Sequence, residues 1–151
     1  MFWISAVSPE EKQHESSKSF IDRVIAANSQ IVVPTLLRVE ISAAFSRVGK
    51  SPILLKATIA HLVSLRSVRW ISLEKALADA AAKIASVHRL RGADAVYAAL
   101  ASEYGCKLVS LDNDPLERVS TVMVAQTPSQ ALTFFENDNL SSEATAKNSQ
   151  I

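Results

Sequence analysis

Three short apolar runs, Ile31-Val32-Val33, Val68 to Ile71 and Lys107 to Leu111, are separated by stretches whose apolar residues recur at helical spacing. No other feature limits the fold as much. Runs of this length that are continuous rather than alternating match strands buried on both faces. Such strands alternating with helices predict an α/β domain with a mainly parallel sheet covered by helices on both sides. Ligands in such sheets sit beyond the carboxyl ends of the strands.

The punctuation between the runs fits this scheme. Ser8-Pro9-Glu10-Glu11 reads as a capped helix start, and the helix carries Phe20, Ile21, Val24 and Ile25 inward before ending near Asn28. Pro34-Thr35 opens a helix through Phe45, stopped by Gly49. Ser51-Pro52 opens another, with Leu55, Ile59, Leu62 and Val63 at helical spacing. Ser72 is the expected cap of an alanine-rich helix with Leu77, Ile84 and Val87 inward. A break at Arg91-Gly92 precedes a short helix from Ala93 to Tyr104, ended by Gly105. Asp112 to Pro115 forms a turn, Val122-Met123-Val124 an edge strand, and Thr127-Pro128-Ser129-Gln130 a capping box for a last helix through Phe135.

Composition narrows the function. The 151 residues suit one domain, expected over 1–135, and the polar stretch 136–151 reads as a disordered tail. Lys+Arg 16 against Asp+Glu 15 gives a net charge of +1, which disfavours nucleic-acid binding by bulk charge and leaves room for a local basic groove. The single Cys106 can form neither an intramolecular disulfide nor a cysteine zinc cluster, and beside Gly105 it is expected to pack. The histidines His14, His61 and His88 lack zinc-binding spacing, and Gly49, Gly92 and Gly105 stand too far apart for a phosphate loop. No apolar run approaches the ~20 residues that span a bilayer and no signal peptide is recognisable, so a cytoplasmic location is expected.

Carboxylates hold the chemical signal. Glu40 has Leu36, Leu37, Ala43 and Ala44 as its helical neighbours, a costly setting unless donors or a cation satisfy it. The alternative is an edge residue reaching solvent or a distant arginine. Asp94 lies in a first helical turn, where it also favours the helix dipole. Asp112 closes the third strand at a carboxyl-end position and also reads as a turn residue. Asp114 reads as a cap for Leu116 and Glu117. Three carboxylates delivered from a helix, a helix start and a strand exit suit Mg²⁺ or Mn²⁺, ions that activate water and stabilise a phosphodiester under attack. Arg89 and Arg91 are candidates for nucleic-acid backbone phosphate contacts, or else solvated surface residues. Trp70 and Tyr97 read as core.

Pro34 to Glu40, Arg91 to Ala101 and Leu108 to Asp112, in that order and spacing, resemble PIN-domain proteins, most of all the VapC-like ribonuclease toxins of toxin–antitoxin systems. The likeness implies a three-layer α/β/α sandwich and a Mg²⁺-dependent ribonuclease cutting single-stranded or structured RNA. By this likeness Glu40, Asp94 and Asp112 are metal-site residues, and Asp114 takes part only in some members. An antitoxin partner and a homodimer are family expectations. The family's first strand ends in an aspartate that precedes a segment like Phe2 to Val7. The sequence therefore predicts a missing central strand between Ile31-Val32-Val33 and Leu108-Val109-Ser110, unless residues near Met1 to Ile4 fill it. On that expectation residues 1 to 151 cleave negligibly and an upstream strand ending in aspartate restores activity. The alternative is an inactive remnant that binds an antitoxin or RNA.

Overall fold

The computed structural model describes residues 12–120 and 123–134, without the side chains of 113–115. The Ser8 helix start, the Asp114 cap, the tail 136–151 and any placement of Met1 to Ile4 lie outside the described residues. Helix α1 spans His14–Ala26, followed by strand β1 (Ile31–Pro34), α2 (Leu36–Arg47), α3 (Pro52–Ser64) and β2 (Val68–Ile71). Then come α4 (Lys75–His88), α5 (Gly92–Glu103), β3 (Leu108–Val109), α6 (Asn113–Val119) and β4 (Ala125–Gln126), with residues 128–134 helical at the end.

β1 pairs in parallel with β2, from Ile31 opposite Val68 to Pro34 opposite Ile71. β3 pairs in parallel with β4, Leu108 opposite Ala125 and Val109 opposite Gln126. Side chains alternate across these strands, as strand geometry requires. Val33 and Val68 pack with Phe20, Val24, Leu37, Ile41, Phe45 and Leu62 from α1, α2 and α3. Val32 and Ile71 pack instead on a second core built from α4, α5 and α6, which also takes in Leu108. Helices therefore cover both faces, the expected α/β layering.

Several boundaries differ from the sequence reading, each for a local reason. Pro34 belongs to β1, and the Thr35 hydroxyl does not cap α2; it accepts from the Leu73 amide at 3.3 Å and ties the β1 exit to the chain beyond β2. Ser72 is not the cap of α4, because its carbonyl takes the Glu74 amide and the helix begins at Lys75. β3 is only two residues long: the Ser110 hydroxyl accepts from the Asp112 amide at 3.1 Å and bends the chain out of the strand. The final strand lies at Ala125–Gln126 rather than at Met123-Val124, since the Met123 amide still bonds back to the Val119 carbonyl. Val122 lies outside the described residues. Ile25, Val63 and Val87, expected inward, are exposed.

Other signals hold. Ser51 Oγ accepts from the Ile53 amide at 3.2 Å with Pro52 at the first helical position. Thr127 and Gln130 cap reciprocally: the Thr127 amide donates to Gln130 Oε1 at 2.8 Å and the Gln130 amide to Thr127 Oγ1 at 3.3 Å. Gly49 and Gly105 end their helices at φ of 63° and 59°, the left-handed region that glycine enters without strain.

The two sheets do not join among the described residues. The Ile31 and Thr35 amides donate to β2 and its flanks, and the Leu108 and Ser110 amides to β4 and its flank. Because successive backbone groups point to opposite edges of a strand, Val32 and Val109 turn their N–H and C=O the other way, towards each other's sheet. With no strand in the space between them among the described residues, Val32 and Val109 should exchange their amide protons about tenfold or more faster than Thr35 and Ser110, which donate across the ladders, as followed by NMR. Equal protection shows that another segment of the chain pairs there.

Candidate active site

Between the two sheets lies a cleft of about 560 Å³. Ile31, Val32 and Val33 wall one side and Leu108, Val109 and Ser110 the other, with Phe20 and Val24 of α1 and Tyr97 and Leu100 of α5 also lining it. Glu40, Asp94 and Asp112 all line this same cleft, and so does Arg91. Glu40 comes from α2, just past the carboxyl end of β1; Asp112 follows the exit of β3; Asp94 sits in the first turn of α5. The three sequence-predicted carboxylates thus share one cleft, which runs the length of β1 and β3, from Gln30 and Lys107 to Val33 and Ser110. Arg89 does not line it. Its backbone is left-handed at φ 53°, where it ends α4, and its carbonyl accepts from Arg118 Nη1 at 3.1 Å.

Glu40 is half-buried, and what satisfies it is neither solvent alone nor an arginine. Tyr97 Oη donates to Glu40 Oε2 at 2.6 Å, a short bond of the kind made to a charged acceptor. Tyr97 reads as core in the sequence and its ring does pack against the core, but its hydroxyl reaches the cleft. Its signal was the i, i+3 spacing from Asp94, which puts both side chains on one face of α5. Burial pushes the Glu40 carboxyl above its ordinary value; the Tyr97 hydroxyl pulls it back, and the negative charge of Asp94 raises it again. Burial, followed by the bond to Glu40, holds the Tyr97 phenol well above its usual range, so it stays a proton donor. Cys106 is exposed at the cleft rim rather than packed, and partial burial of its thiol pushes its pKa up, which keeps it a poor nucleophile.

Among the described residues no three His, Cys, Asp or Glu side chains converge closely enough to cage a metal ion. The carboxylates line one opening without closing on a common point. Among the same residues no helix is long and apolar enough to cross a membrane.

Parallel strands whose carboxyl ends open on a cleft lined by three carboxylates place the chain among α/β domains with an acidic site at the strand exits. The PIN domain family matches residues 2–122, most of the chain, and the protein belongs to that family. PIN domains are generally nucleases and generally use divalent metal ions. Comparison with curated proteins returns no match.

A pH-dependent stability follows from Glu40. Its folded-state pKa is raised, so the native state binds the proton more tightly than the unfolded chain, and stability falls as pH rises from the ordinary carboxylate value, 4.5, through the raised one. In chelator-treated buffer, Glu40→Gln should unfold at a higher temperature than the parent at pH 7. The gain should shrink towards zero as pH drops below the unfolded-state value, as read by circular dichroism melts.

Proposed function

We propose that this chain is a metal-dependent endoribonuclease of VapC-like type, in which Glu40, Asp94 and Asp112 hold Mg²⁺ or Mn²⁺. The observation that carries the reading is their delivery from three separate elements to one cleft between β1 and β3. The donor set suits such an ion. All three groups are oxygen ligands, and a half-buried carboxylate raised by its own burial and by a second carboxylate gains from a cation between them. A bound ion supplies an activated water and neutralises charge on the phosphate under attack. Asp94 and Glu40 would hold such an ion from two helices, and Asp112 from the chain that follows β3. Arg91, at the amino end of α5, stands where a backbone phosphate would enter, and Arg89 offers a contact further out. RNA is the proposed substrate; an antitoxin protein and a second copy of the chain are proposed partners, and the cytoplasm the proposed location.

One observation favours a second reading, a domain that binds RNA or an antitoxin without cutting. The described carboxylates do not converge into a ready cage, and metal affinity depends on ligand number and charge. The two readings separate in one assay. Incubation of single-stranded RNA with the chain and Mn²⁺ should give at most weak, chelator-sensitive cleavage, in line with the negligible activity expected of a chain without the first-strand aspartate. Asp94→Asn should remove it, a loss on the order of 10²–10⁴ in rate. RNA retention without any metal-dependent cleavage selects the binding module, and cleavage that survives Asp94→Asn shows that the acidic cluster is not the catalyst.

A further inference from the structure

We propose that Tyr97 is a positioning residue for the acidic site, holding one oxygen of Glu40 so that the other is kept for a cation shared with Asp94. The inference rests on the metal reading above and goes beyond it in giving a role to a residue outside the carboxylate set. A glutamate side chain turns about three bonds, and at a cleft mouth it would sample several rotamers and bind a cation only from some of them. Here Tyr97 Oη fixes Oε2 at 2.6 Å, while Oε1 accepts no hydrogen bond among the described residues. Tyr97 itself is held by the burial of α5, whose Ala95, Val96, Ala98, Ala99, Leu100 and Ala101 are all enclosed. The same helix carries Asp94 three residues earlier, so one rigid element sets both the second carboxylate and the clamp on the first.

The chemical type of the clamp matters as much as its geometry. An arginine or lysine at this place would fix Glu40 and also cancel its charge. Among the described residues no such cation pairs with Glu40. A neutral hydroxyl orients the carboxylate and leaves its negative charge to attract a metal ion. Ligands fixed before binding lose less freedom on binding, so the clamp raises affinity without adding a ligand.

A double-mutant cycle on Mn²⁺ affinity tests this, with free Mn²⁺ read by its electron paramagnetic resonance signal. Four full-length chains are compared: the parent, Tyr97→Phe, Glu40→Ala and the double variant. Tyr97→Phe should weaken Mn²⁺ binding about tenfold in the parent and have no further effect once Glu40 is gone, because Tyr97 acts through Glu40. An equal loss in both backgrounds, or none in either, overturns the inference while leaving the metal reading intact. A parent chain that binds no Mn²⁺ overturns both. If Tyr97→Phe fails to fold, the parent alone decides by NMR with Mg²⁺. A Tyr97 hydroxyl proton that shifts with the same midpoint as the Asp94 amide supports the clamp, and one that does not respond while Asp94 does overturns it.

Discussion

The molecule depends on the close burial of α5. A helix with one apolar stripe can rotate and slide against its neighbours; one that is apolar on nearly every side is enclosed and has few ways to move. Ala95, Ala98, Ala99 and Ala101, with Val96 and Leu100, let α5 lie against α4, β1 and β3 together. Small side chains permit that approach, and native packing density then penalises displacement. Asp94 and Tyr97 are the polar side chains this helix directs to the cleft, so their positions are inherited from the core rather than from a loop.

Glu40 shows how opposing terms are balanced at the same place. Desolvation disfavours its charged form, the Tyr97 hydroxyl favours it, and Asp94 disfavours it again. The largely apolar lining of the cleft lowers the local dielectric and strengthens every one of these interactions. A carboxylate in such surroundings is in effect a site that gains from a positive charge. The same logic explains why the apolar neighbours Leu37 and Ile41, both almost fully enclosed, lie along the helix that carries it.

Much of the fold was legible because it rests on periodicity and local chemistry. Ile31-Val32-Val33 is a strand because its side chains alternate between two cores, which requires apolar residues in succession. The Ser51-Pro52 start and the Thr127–Gln130 box depend only on groups within three residues of each other. Where the reading failed, a distant or competing partner intervened. Thr35 looks like a cap, yet its hydroxyl is claimed by Leu73, thirty-eight residues away. Leu108 to Leu111 looks like a longer strand, but the Ser110 hydroxyl turns the chain early.

By itself the sequence determined the α/β class, the order of its elements and the three carboxylates, because hydrophobic period and residue type are local properties. It also singled out Glu40 as a carboxylate either in want of a partner or at the edge of its apolar stripe, since no cation stands at helical spacing to it. Only the tertiary structure decided that the partner is Tyr97, fifty-seven residues on. That pairing is an outcome of how α5 packs in the core beside β1. A contact between two helices is set by the summed packing of every residue they bury, and no single stretch of chain encodes that sum.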